Sequence, residues 1–190
     1  MNPKLVWFSV VAVIGVVLDQ ITKAWIRANI EYRDAGITVI DGFFDIVHAQ
    51  NPGAAFGILR DMPANLRVSL FLMFTVVALG VVIDMVRRLS PADRMTPVFL
   101  GMIASGAVGN AIDRVHKQTV TDFLRFYTDN PEWVATLRSY NLPPEYPSFN
   151  VADIALVVGV LLYVVTSFLQ EDGEQDLALG SRADERDTPG

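Results

Sequence analysis

Cysteine is absent from this chain, and histidine occurs only as His48 and His116. Without a thiol there is no disulfide, no thiolate nucleophile and no thiolate metal site. A catalytic zinc centre takes about three protein ligands at fixed spacing, often as His-Glu-x-x-His, and neither histidine sits in such a motif. A serine hydrolase needs a base for its nucleophile. Ser105-Gly106 lies in an apolar run, and the last apolar run offers it no histidine. Charge is scarce as well, at 19% of the 190 residues. No basic patch with interleaved aromatics occurs, so no nucleic-acid partner is expected. The net charge of −6 comes largely from loops and the C-terminal tail. No metal and no cofactor is expected.

Apolar residues are abundant, at 52%. They gather in four runs, Leu5 to Leu18, Leu66 to Val86, Pro97 to Val115 and Val151 to Leu169. With its flanks, each approaches the ~20 residues needed to cross a ~30 Å hydrocarbon core. None has the polar outer face of a helix in a soluble bundle. The expected fold is mainly α, a polytopic membrane protein with four transmembrane helices and a small β element. One membrane domain spans residues 1–170, with a β and loop element at about 27–65 and a long loop at 127–148. The acidic tail, 171–190, reads as disordered.

The first run follows Lys4, but no small-x-small site closes it as a signal peptide. It continues into Asp19-Gln-Ile-Thr-Lys23-Ala-Trp25. Asp19 and Lys23 stand at i, i+4, an orientation that favours a helix ion pair. On composition alone they read as a snorkelling pair, with Trp25 at the interface. Beyond them, Ile37–Ile40 and Phe43–His48 flank Asp41-Gly42, a hairpin signal. Asn51-Pro-Gly53-Ala-Ala-Phe56-Gly57 allows close backbone approach. No Gly-Lys-Ser/Thr follows it, so it is not a phosphate loop. Gly101, Ser105 and Gly109 form a small-residue stripe for helix packing. Asn130-Pro131-Glu132 opens a short helix. Its Trp133, Leu137 and Tyr140 share a face suited to the lipid interface or to closing over the site.

Asn110, Asp113 and Arg114 share one helix face at the end of the third run, where such groups are costly unless they meet a wet or polar site. Asn150 and Asp153 open the fourth run, readable either as a helix cap or as functional. The carboxylates at membrane depth are Asp19, Asp113, Asp122 and Asp153. Two carboxylates sharing a proton can activate water and protonate a leaving amine.

Five motifs appear in order: Asp19-Gln-Ile-Thr-Lys23, Asn51-Pro-Gly53-Ala-Ala-Phe56, Gly109-Asn110-Ala-Ile-Asp113-Arg114, Val120-Thr-Asp122-Phe123 and Phe149-Asn150-Val-Ala152-Asp153. Together they resemble the lipoprotein signal peptidase family, signal peptidase II, over Leu5 to Leu169. The resemblance implies an intramembrane aspartic endopeptidase of the bacterial inner membrane that cuts prolipoproteins before a diacylglyceryl-modified cysteine. It implies Asp122 and Asp153 as the catalytic pair. Asn51, Gly53, Asn110, Arg114, Asn150 and Ala152 would line the substrate site, and Asp19, Lys23 and Asp113 would support it. Asp113 is expected to hold Arg114 or a helix end. Implied partners are the diacylglyceryl prolipoprotein, membrane lipid and cyclic peptide inhibitors of the globomycin type. The link from Asp122 to Asp153 is longer than the family pattern.

Asp122 and Asp153 are expected at the ends of two membrane segments on one side. Charge alone leaves the orientation open, because more lysines and arginines fall on the side of Lys23 to Arg138 than on the side of Lys4, Arg87, Arg88 and Arg94. The short loop Arg87 to Arg94 favours the cytoplasm. The resemblance implies cytoplasmic termini and an extracytoplasmic site. The competing class is a proton-coupled transporter or channel component, and a third is an assembly factor without chemistry. Related halves or interrupted midplane helices would mark the transporter. The sequence has no internal repeat, and its carboxylates lie at span ends.

Overall fold

The computed structural model describes residues 2–53, 59 and 62–184, with side chains as far as residue 169. Ala54 to Gly57, the second half of the Asn51-Pro-Gly53-Ala-Ala-Phe56-Gly57 stretch, and Arg60 lie outside the described residues, as do 185–190. Asn2 caps the first helix through its side chain and Pro3 opens it, giving α1, Pro3–Asn29. Strands β1, Ile37–Ile40, and β2, Phe44–Asn51, follow. Then come α2, Ala64–Arg88, α3, Thr96–Lys117, β3, Val120–Phe126, α4, Pro131–Ser139, and α5, Val151–Asp184. Among the described residues, α1, α2, α3 and the first part of α5, Val151–Leu169, are long and apolar enough to cross a membrane.

α3 is the central helix and packs against α1, α2 and α5. The expected small-residue stripe makes this possible. A Cβ at Gly101 would meet the Phe8 carbonyl, and one at Gly109 the Asp19 carboxylate. Ser105 abuts Gly15, while Gly106 abuts the Ala152 carbonyl. Backbones therefore approach closely, and dispersion contacts replace the hydrophobic drive that lipid removes. Val82, Val86, Leu100 and Ala104 form a buried cluster between α2 and α3. Val13, Ile21, Val76 and Phe168 are instead exposed. A surface this apolar suits hydrocarbon surroundings and would be an aggregation hazard in water. At the other end of α1, the buried Lys4 ammonium donates to the carbonyls of Arg87 (2.8 Å) and Leu89 (2.6 Å). It thereby satisfies orphan carbonyls at the end of α2 and puts the start of α1 and the end of α2 together.

The three strands form an antiparallel sheet in the order β1-β2-β3. The β1–β2 turn falls at Asp41-Gly42 as expected, with Gly42 at φ 68°. β3 was not expected. Val120, Thr121, Asp122 and Phe123 are all buried, so the segment lacks the alternation of a half-exposed strand. Gln118, at φ 61°, ends α3 and turns the chain into β3. The sheet rests on Ile26, Ile30 and Phe123. His48 ties it to α1 by donating from Nδ1 to the Ile30 carbonyl at 2.9 Å.

α4 forms as the sequence indicates, with Asn130 accepting from the N–H groups of Glu132 and Trp133. Its Trp133 and Leu137 line a groove of about 550 Å3 together with Phe43, Phe126, Tyr127 and Tyr146. Neither Asp122 nor Asp153 lines that groove. α5 runs on to Asp184, into the segment 171–190 that was read as disordered, of which 185–190 lie outside the described residues. The helix is already nucleated by the membrane span, and Glu, Gln, Leu and Ala extend it at little cost.

Candidate active site

β3 and the start of α5 meet through the backbone. The N–H groups of Phe123 and Leu124 donate to the Phe149 carbonyl at 3.0 and 2.9 Å, and the Phe149 N–H returns to the Leu124 carbonyl at 3.1 Å. This bridge brings Asp122, on a strand, beside Asn150 and Asp153, at a helix start. Asp122 is therefore not at the end of a membrane helix as expected, because α3 stops at Lys117 and a turn precedes β3. Ala49 lies opposite Asp122, and Asn51 lies opposite Val120. With side chains alternating along the strands, Asn51 and Asp122 share a face of the sheet.

Asn150 and Asp153 form the cap, and their side chains also reach beyond it. The Asp153 N–H donates to Asn150 Oδ1 at 3.1 Å, and the Asn150 N–H donates to Asp153 Oδ2 at 3.1 Å. That is a reciprocal helix cap. The same two side chains also reach the other carboxylate and α3. Asn150 Nδ2 donates to Asp122 Oδ1 at 2.7 Å and to Asn110 Oδ1 at 3.1 Å. Asn110 Nδ2 donates to Asp153 Oδ1 at 2.8 Å.

Pure donors fix the direction of every bond in this chain. The Lys23 ammonium, which cannot accept, lies 2.9 Å from Asn110 Oδ1. The amide oxygen of Asn110 must face it, so its NH2 must face Asp153. The Asp153 backbone N–H fixes the Asn150 oxygen likewise and turns that NH2 toward Asp122. Both Asp153 oxygens thus face N–H donors at a helix N-terminus, where the dipole favours an anion. Asp122 is only 3% exposed. Burial first, and then the nearby Asp153 carboxylate, push its carboxyl from the ordinary 3.8 up to about 6. Hydrogen bonds from Asn150 and Asn51 and the charge of Lys23 pull the other way.

Asp19 and Lys23 do not snorkel. Both side chains are completely buried (0% exposed), 3.0 Å apart, because Gly109 leaves room for the carboxylate against α3. Asp19 Oδ1 also accepts the Ala152 N–H at 3.1 Å. Lys23 reaches Asp113 at 3.3 Å. Asp113 does not hold Arg114. It accepts from Arg27 at 3.4 Å and from the Thr121 N–H at 3.0 Å, which pins the start of β3 to α3. A helix side chain points toward the turn N-terminal to it, and on that face Asp113 meets α1 while Arg114 turns away.

Arg114 Nη1 donates to its own helix at the Asn110 carbonyl, 3.1 Å away. Its guanidinium lies over the Phe71 ring, with Cζ 4.5 Å from the centroid. Gly53 has φ 81°, and its N–H donates to Asn51 Oδ1 at 2.8 Å. Asn51 is exposed, and Asn110, Arg114 and Asp153 are half-buried. Asn150 and Ala152 are buried behind the carboxylates (0% and 1% exposed). Sequence reasoning missed Gln20, Arg27, Thr121 and Phe71. Gln20 Nε2 donates to Asp19 at 2.9 Å and to the Gly109 carbonyl at 3.1 Å. Arg27 continues the i, i+4 row of Asp19 and Lys23, which was a usable signal. Phe71 sits in an apolar run with nothing to mark it.

Residues 11–169 match the family described as Signal peptidase (SPase) II. Among relatives, the lipoprotein signal peptidase of Geobacter sulfurreducens is 38% identical over 171 residues, covering 90% of this chain and 97% of that protein. That of Maridesulfovibrio salexigens is 35% identical over 160 residues, covering 84% and 94%. A solved structure described as a bacterial membrane enzyme by the in meso method at 1.9 Å is similar with a TM-score of 0.66 and 29% identity. It covers 83% of this chain, which in turn covers 89% of it. A second, at 2.3 Å, has a TM-score of 0.67 and 27% identity, covering 87% and 88%.

Proposed function

The chain belongs to the signal peptidase II family, and on that premise we propose that it removes signal peptides from bacterial prolipoproteins as an aspartic endopeptidase. Cleavage falls on the N-terminal side of a diacylglyceryl-modified cysteine. The observation that carries the reading is the pair of amides, Asn110 and Asn150, that join Asp122 to Asp153 with fixed polarity.

Asp153, both of whose oxygens accept N–H donors, is the base. It takes a proton from water as the water oxygen attacks the scissile carbonyl carbon. Asp122 holds the shared proton and passes it to the leaving nitrogen as the carbon–nitrogen bond breaks. Asn51, Gly53 and Arg114 border the open side and bind the extended peptide, while Asn110 and Asn150 hold the carboxylates. The diacylglyceryl chains lie against the apolar helix faces, so the bilayer presents the substrate. Both termini are cytoplasmic and the carboxylates extracytoplasmic. The gathering of Lys4, Arg87, Arg88 and Arg94 at one end supports that orientation.

Purified protein with a diacylglyceryl lipopeptide tests the reaction class. Cleavage should persist in chelators and in serine-directed reagents, and globomycin-type cyclic peptides should block it. Loss on chelation that added zinc restores would overturn the aspartic mechanism.

A further inference from the structure

α2 has the highest mean hydropathy of the four spans among the described residues, yet at Phe71 it touches the site twice. The Arg114 guanidinium lies over the Phe71 ring at 4.5 Å. The edge of the same ring occupies the space that a Cβ on Gly53 would need. Phe71 is thus held between the turn that leaves β2 and the arginine of α3. Arg114 has few other restraints. One Nη donates to a carbonyl of its own helix, and the buried Nε has no hydrogen-bond partner among the described residues. A guanidinium is planar and presents its donors around its edge, so a ring against its face fixes the plane in which those donors point.

We propose that Phe71 is a positioning residue for substrate: wedged between Arg114 and the Asn51–Gly53 turn, its ring sets the plane of Arg114 and the spacing of Arg114 from that turn, and so the placement of the two groups that bind the extended peptide on the open side. An aliphatic side chain of similar bulk would fill the space but would neither attract the guanidinium nor fix its plane. The inference rests on the proposed role of Arg114 in binding the peptide.

The test is steady-state cleavage of a diacylglyceryl lipopeptide by the full chain and by Phe71→Leu, Phe71→Met, Arg114→Ala and Phe71→Leu/Arg114→Ala, with thermal midpoints alongside. Phe71→Leu should raise KM roughly tenfold and leave kcat within about twofold, the size of a desolvated cation–π contact. In the Arg114→Ala background, Phe71→Leu should add less than about twofold, because coupled residues are non-additive. Phe71→Met, which keeps length and apolarity, should match Phe71→Leu and stands in for it if the leucine variant fails to fold. Wild-type KM in Phe71→Leu with a raised KM in Arg114→Ala would reject this proposal alone, and additive losses would do the same. Wild-type KM in Arg114→Ala would reject the binding role of Arg114 and this proposal with it.

Discussion

Two aspartate–cation pairs in this chain share the same i, i+4 spacing and the same polarity, and they meet opposite fates. Asp19 and Lys23 are 3.0 Å apart and wholly buried. Asp84 and Arg88 are 2.7 Å apart with side chains 56% and 78% exposed. Spacing decides only that two residues on one helix can touch. The facing helix decides whether the pair is withdrawn from water. Opposite Asp19 stand Gly109, which has no side chain to exclude it, and the Ala152 N–H, which donates to it. Lys23 gains Asn110 and Asp113. Burial of ions is tolerable only when every lone pair and proton is satisfied, and here it is achieved by three helices together. The exposed pair at the end of α2 has no such neighbours and costs and contributes little.

The comparison can be broken most severely at Lys23. Lys23→Met leaves Asp19 and Asp113 buried without their ammonium and should destabilise the protein by roughly 3–5 kcal/mol, as thermal unfolding in detergent would register. Asp19→Asn/Lys23→Met, which removes both charges, should lose less than the single variant.

The next effect concerns Asp122 and depends on pH. Its folded-state carboxyl is raised from 3.8 to about 6, so within that window the folded protein holds a proton that the unfolded chain has released. Stability from this group is therefore present at low pH and lost as pH rises through about 6, by roughly 3 kcal/mol in all. Asp122→Asn removes the dependence. Relative to wild type, it should be more stable at pH 7 than at pH 4, as a pair of melting series will reveal. If the proposed mechanism holds, the free protein should likewise lose kcat/KM above about pH 6, where Asp122 gives up its proton.

Gly109→Ala is milder. Its Cβ would stand 2.5 Å from Asp19 Oδ2, so Asp19 or α3 must shift, at a cost of about 1–3 kcal/mol. The smallest effect belongs to the exposed pair. Asp84→Asn and Arg88→Gln should leave the melting midpoint and kcat/KM unchanged within error, and a clear loss in either would undo the contrast between the two pairs.

Much of the architecture was legible because lipid makes long apolar runs unambiguous. The four spans, the Asp41-Gly42 hairpin, the Asn130 cap of α4 and the Gly101-Ser105-Gly109 stripe all follow from local rules. β3 was hidden because Val120 to Phe123 are buried on both faces, which erases alternation. The burial of Lys23 was hidden because its cause lies on α3 and α5, at Gly109 and Ala152. Asp113 and Arg114 are neighbours in sequence but point to different helices, so their adjacency misled. Phe71 is indistinguishable from other residues of its run until Arg114 is seen above it. The candidate carboxylates were visible as residue types. Their joining by Asn110 and Asn150 is a tertiary fact.

The central claim is that Asp122 and Asp153 act as one unit, and it is tested most directly by mass analysis of product from a diacylglyceryl lipopeptide. Wild type, Asp122→Asn and Asp153→Asn would be compared as purified, folded proteins. Wild type should release a fragment beginning at the modified cysteine, and each variant should be slower by at least about 10³-fold in kcat, the scale of positioned acid–base catalysis. Cleavage by either variant at near wild-type rate, or cleavage by wild type at another bond, would contradict the account.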